Sequence, residues 1–132
     1  MEKYIAIGSK DYLYLVKKEI RYLKKNASRK ELLRLNFKKL NPLLSRSCIY
    51  GQMTDSCYSD RARELIQGLN ATNSFVSIKR GESYIVPKPP RMEKWENFTF
   101  LEHFILNYRE NNENILKYLR DEEKYLKIKI EK

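Results

Sequence analysis

The chain has 132 residues, ten of them tyrosine, and a formal charge of +10 from 27 Lys/Arg against 17 Asp/Glu. That length gives room for one domain with an adequate core, and an apolar fraction of 42% excludes wholesale disorder. No apolar run approaches the ~20 residues of a bilayer span, and the patch at Tyr4–Ile7 is too short for a secretory signal, so a cytoplasmic protein is expected.

The charge is unevenly spread. Residues 1–46 hold thirteen Lys/Arg and four Asp/Glu, while residues 47–132 hold fourteen and thirteen. The N-terminal third is therefore at +9 and the rest near neutrality, and a local excess of that size marks the face that would meet a polyanion. Lys, Ile, Asn and Tyr are frequent and Ala occurs only at positions 6, 27, 62 and 71. Such usage is compatible with A·T-rich bacteria and their phages.

In chain order, Tyr4–Ile7 is short, apolar and closed by Gly8, as a strand would be. Ser9 caps a helix over residues 11–25, with Asp11 in its first turn. Leu13, Val16, Ile20 and Leu23 recur at helical spacing, and Lys17, Lys18, Arg21, Lys24 and Lys25 fill the outer face. Ser28 and Glu31 form a capping box for a second helix, expected from Arg29 to about Leu40. Leu33, Phe37 and Leu40 are its expected core residues. Lys30, Arg34 and Lys38 then fall at i, i+4 and i+8 as a basic ridge, and Asn41-Pro42 stops the helix. Together these helices make a basic αα-hairpin over residues 9–41.

Residues 42–58 form a central irregular stretch holding both cysteines, with Cys48-Ile49-Tyr50 expected extended and a turn at Thr54-Asp55-Ser56. Ser59 caps a helix from Asp60 to about Gln67. Phe75–Ile78 and Tyr84–Val86 flank a glycine-containing loop as a β-hairpin. Pro87–Arg91 is a stiff extended spacer. Thr99 and Glu102 make a second capping box, and another helix follows from Asn111 or Asn112, with Ile115, Leu116 and Leu119 inward. Leu126, Ile128 and Ile130 alternate with lysines as a half-buried strand. The expected fold is a single α+β domain, mainly helical with about five helices, carrying a small antiparallel sheet from the 75–86 hairpin and the chain termini. Residues 59–132 are its neutral α+β half.

Catalytic patterns are weak. One histidine and two cysteines cannot supply a tetrahedral zinc site, and four scattered glycines provide no phosphate loop, so neither metal nor cofactor is expected. Cys48 and Cys57 read as free thiols. A cysteine-dependent enzyme would need His103 as its base and Asp55 or Asp60 as orienter, and is the weakest of three functional readings.

The strongest reading is a non-enzymatic protein that contacts RNA, DNA or a nucleoprotein. Lys17, Lys18, Arg21, Lys24, Lys25, Lys30, Arg34 and Lys38 would neutralise phosphates. Tyr12, Tyr14, Tyr22, Tyr50 and Tyr58 are candidates to stack on bases. The alternative is a small inhibitor of the phage or mobile-element type. It would bind another protein's nucleic-acid-binding or acidic surface through the 48–61 stretch, using Tyr50, Gln52, Met53, Tyr58 and Arg61.

Overall fold

A computed structural model describes residues 8–42, 44–69, 99–121 and 124–129 in full, and the backbone alone at 5–6, 70–72, 76–79, 84–87 and 97–98. Six helices run through the described residues: α1 (Lys10–Asn26), α2 (Arg29–Leu33), α3 (Ile49–Thr54), α4 (Asp60–Thr72), α5 (Phe100–Asn107) and α6 (Asn112–Arg120).

α1 is the axis of the molecule. Ser9 Oγ accepts the Tyr12 amide at 3.2 Å, Asp11 sits in the first turn, and Lys24 and Lys25 in the last, so cap and dipole both favour this span. Its inner stripe, Tyr12, Val16, Ile20 and Leu23, is fully buried. Against it pack Leu101, Phe104 and Ile105 of α5, Ile115 and Leu119 of α6, Ile49, Tyr50 and Met53 of α3, and Ala62 and Leu65 of α4. Each Val, Leu, Ile, Phe or Met side chain among them contributes roughly 1.5–3 kcal/mol by leaving water.

Both capping boxes form. Ser28 Oγ accepts the Glu31 amide while Glu31 Oε1 accepts the Ser28 amide, and Thr99 and Glu102 do the same for α5. The Ser59 hydroxyl accepts the Ala62 amide at the start of α4.

The expected α+β class is overturned. Helices account for 68% of the fully described residues, and no α+β sheet is shown there. The C-terminal segment makes the physical reason visible. Lys129 gives its amide to Asn111 Oδ1 at 2.6 Å and not to a neighbouring strand, and residues 126–129 carry no strand structure. The alternation still has consequences, since Leu126 and Ile128 pack on the core while Lys127 and Lys129 are exposed. Beyond the helical body, Ile5–Ala6, Val76–Lys79, Tyr84–Pro87 and Asn97–Phe98 are short antiparallel backbone segments. The fold class does not rest on them. The side chains of the 75–86 hairpin, residues 88–91 of the proline-rich spacer, and Leu43 lie outside the described residues.

Two further expectations change. The second helix ends at Leu33, and a separate 3-10 turn covers Phe37–Lys39. Between them the Asn36 amide is taken by Gln52 Oε1 at 2.7 Å, and Asn36 Oδ1 accepts from Lys38. Leu32 and Leu35 go into the core, and Leu33 is 52% exposed. Secondly, Ile49 and Tyr50 are helical and only Cys48 is extended, because Cys48 is the cap residue of α3 and its Sγ accepts the Gly51 amide at 3.3 Å. Gly51 is required there, as a Cβ would run into the Ser45 carbonyl.

Candidate nucleic-acid interface

The outer face of α1 carries the site. Tyr14, Lys18, Arg21 and Lys25 fall at i, i+4, i+7 and i+11, one stripe along the helix. At 1.5 Å per residue the three cations span roughly 10 Å. Lys17 flanks the stripe. Tyr14 is 60% exposed, and the Lys18 ammonium lies 5.9 Å from its ring centroid. Beside the stripe, Lys18, Arg21, Tyr22, Lys25, Asn26 and Gly68 line a shallow groove of about 450 Å³ between α1 and α4.

The floor of that groove is fixed. The Tyr22 hydroxyl donates to the Leu65 carbonyl at 2.6 Å, and the Asn26 side chain donates to the Tyr22 carbonyl at 2.9 Å. Gly68 lies under the Tyr22 hydroxyl, so a Cβ at 68 would displace the ring. Burial raises the Tyr22 hydroxyl above its ordinary pKa. The groove therefore offers cations on a rigid base, with no carboxylate among its described lining residues.

The remaining basic candidates separate. The Lys24 ammonium sits 3.9 Å over the Tyr118 ring, which ties it to α6. Lys30, Arg34 and Lys38 do not form a single ridge, because α2 ends before Arg34 and Lys38 lies on the 3-10 turn. The Arg34 guanidinium bonds to the Asp55 carboxylate and the Met53 carbonyl, and Asp55 is held below the usual carboxylate range by it. Lys30 and Lys38 are exposed.

The candidate partner surface at 48–61 is partly interior. Tyr50 and Met53 are 2% and 1% exposed, so neither meets a partner in this conformation. Gln52 spends its amide on the Asn36 and Ser47 carbonyls. Arg61 clamps Glu31 through Nε and Nη2, both at 2.9 Å, and also reaches the Asn26 carbonyl and Glu64. Hydrogen bonding to Arg61 drops the Glu31 carboxyl to about 2. Of the five residues Tyr58 is 54% exposed and Gln52 and Arg61 are half-buried. Among the stacking tyrosines Tyr12 is buried as well, Tyr22 is half-buried in the groove, and Tyr14 and Tyr58 are exposed.

Two carboxylates lie in the core: Glu19, which sequence reasoning did not single out, and Glu102, which it read only as a capping residue. Glu19 accepts the Tyr50 hydroxyl at 2.9 Å and the Leu101 amide at 3.0 Å, so α1 is stitched to α3 and α5. Glu102 accepts the Ile49 amide at 3.1 Å at the start of α3. Desolvation pushes Glu19 up to about 7 and raises Glu102, and the proximity of Glu102 adds to the rise at Glu19. The signal was present for Glu19, an acid three residues from both Val16 and Tyr22 and next to Ile20 on the apolar stripe.

Neither Cys48 nor Cys57 is in a disulfide. Burial first, then the neighbouring Glu102, pushes Cys48 up to about 12, opposite to what a thiolate nucleophile needs. His103 Nδ1 is hydrogen-bonded to the Tyr12 hydroxyl at 2.8 Å, and burial lowers its pKa. No helix among the described residues is long and apolar enough to cross a membrane. The chain matches no family model, no curated protein and no solved structure.

Proposed function

We propose that this is a non-enzymatic nucleic-acid-binding protein whose working surface is the outer face of α1. The observation that carries this is the stripe Tyr14, Lys18, Arg21 and Lys25, three cations in line with an exposed aromatic ring beside a groove with no carboxylate among its described lining residues. Lysine and arginine neutralise phosphates and release counterions, and an accessible tyrosine offers a stacking face to an unpaired base. This combination favours single-stranded or looped nucleic acid over a duplex read through its grooves. The inhibitor reading through residues 48–61 has less support, since Tyr50 and Met53 serve the core.

The test is charge reversal. The double substitution Lys18→Glu with Arg21→Glu is expected to weaken binding of a labelled single-stranded oligonucleotide by about tenfold or more. The exposed Lys127 supplies the control, because Lys127→Glu with Lys129→Glu makes the same change in net charge elsewhere. Equal weakening by both pairs would mean that total charge, and not the α1 face, governs the interaction.

A further inference from the structure

A second surface is built differently from the α1 face. Between the Leu33–Lys38 segment and α6 lies a cleft of about 870 Å³. Its exposed apolar wall is Leu33, with Leu116 half-buried across from it and Leu35 and Phe37 buried beneath. Leu33 is the one leucine of the Leu32-Leu33-x-Leu35 run that the core does not take.

The rim is basic. Arg34, Lys38, Arg109 and Arg120 line it against one carboxylate among the described residues, Glu113, which pairs with Lys117 at 3.4 Å. Two of these cations are already occupied. Arg34 is bonded to Asp55, and Arg120 donates to the Leu32, Leu33 and Leu35 carbonyls, which fixes the shape of the cleft wall. Lys38 and Arg109 are exposed, and among the described residues neither has a carboxylate partner.

From this we infer that the cleft between residues 33–38 and α6 docks an acidic peptide segment of a partner protein. An apolar side chain of the peptide rests on Leu33 and Leu116, and its carboxylates face Lys38 and Arg109. Charge complementarity selects the occupant. A second copy of this +10 chain would be repelled by the same rim. Nucleic acid would find phosphate partners but no exposed aromatic ring among the described lining residues, where the walls are aliphatic and Phe37 is buried. The inference is independent of the α1 reading and uses none of its residues.

The probe is a library of random peptides displayed for selection on the full chain, followed by anisotropy of the enriched peptides. Selection is expected to return sequences rich in Asp and Glu with Leu, Ile or Phe among them. Leu33→Asp, at an exposed site where folding tolerates it, should weaken those peptides by about thirtyfold, the loss expected for an interface anchor. Lys38→Glu should weaken them less and flatten their salt dependence. Lys18→Glu with Arg21→Glu should leave them unchanged, which separates failure here from failure of the nucleic-acid reading. The inference is overturned if no sequence is enriched or if neutral or basic sequences are. It fails equally if enriched peptides bind Leu33→Asp as tightly as the parent, or if a single-stranded oligonucleotide competes for the cleft in the Lys18→Glu, Arg21→Glu variant.

Discussion

Glu19 makes a prediction that runs against habit for a basic protein: mild acidification should stabilise it. The native state holds the Glu19 proton up to about 7, against an ordinary value of 4.5. Between those values the folded chain binds more protons than the unfolded one, so stability falls as pH rises through the window and is fully present only below it. At about 1.4 kcal/mol per pH unit, the interval amounts to something on the order of 3 kcal/mol. Glu102 is raised by the same burial and acts in the same direction. His103, lowered by burial, opposes the gain as it protonates below its ordinary 6.5. Glu31, held down at about 2 by Arg61, loses its contribution as pH falls from 4.5 toward 2, although solvent around the partly exposed Arg61 screens that pair.

Glu19→Gln isolates the effect. The amide keeps an oxygen for the Leu101 amide and a polar partner for the Tyr50 hydroxyl, but carries no titrating proton. Urea unfolding followed by circular dichroism at about pH 5 and about pH 8 gives the measurement. The parent should gain more on acidification than Glu19→Gln does, by up to about 3 kcal/mol, and the variant should equal or exceed the parent at the higher pH. Parallel pH profiles for the two proteins would refute the buried, neutral carboxyl.

Three smaller predictions follow from the packing. Gly51→Ala places a methyl against the Ser45 carbonyl and should cost about 2–3 kcal/mol in urea unfolding; a loss under about 0.5 would mean that the Ser45 loop moves freely away from α3. Leu32→Ala should cost roughly 2–4 kcal/mol whereas Leu33→Ser should stay within about 0.5, and the reverse ranking would restore the expected register of the second helix. Ser28→Ala removes one half of the capping box and should cost about 1 kcal/mol by the same assay, while an unchanged midpoint would show that the Arg61 clamp holds α2 unaided.

Much of the helical fold was legible because its signals are local. The Ser9 cap, both capping boxes, the apolar stripe of α1 and the Ile115–Leu119 face of α6 are all set by residues within a few positions of one another. α3 was not legible, since six residues complete fewer than two turns and a helical period cannot register over Ile49–Thr54. What fixes α3 comes from far along the chain, Glu102 on its first amide and Glu19 on Tyr50. The same distance effect ended the second helix early, because Gln52 captures the Asn36 backbone sixteen residues away. Alternation at 126–129 was read as sheet, but alternation reports which side chains are buried, not where the backbone amides go. On the candidate site, the charge stripe of α1 was visible at helical spacing. That Tyr50 and Met53 serve the core was not, as aromatic and methionine residues are favoured alike by cores and interfaces.

The central claim, nucleic-acid binding by the α1 face, is tested most directly by titrating salt against the affinity for a single-stranded oligonucleotide. Four phosphate contacts, from Lys17, Lys18, Arg21 and Lys25, correspond to a log–log slope of magnitude about 3, falling to about 2 when Lys25 becomes Ala. Negligible binding at low salt, or a slope that the Lys25→Ala substitution leaves unchanged, would contradict it.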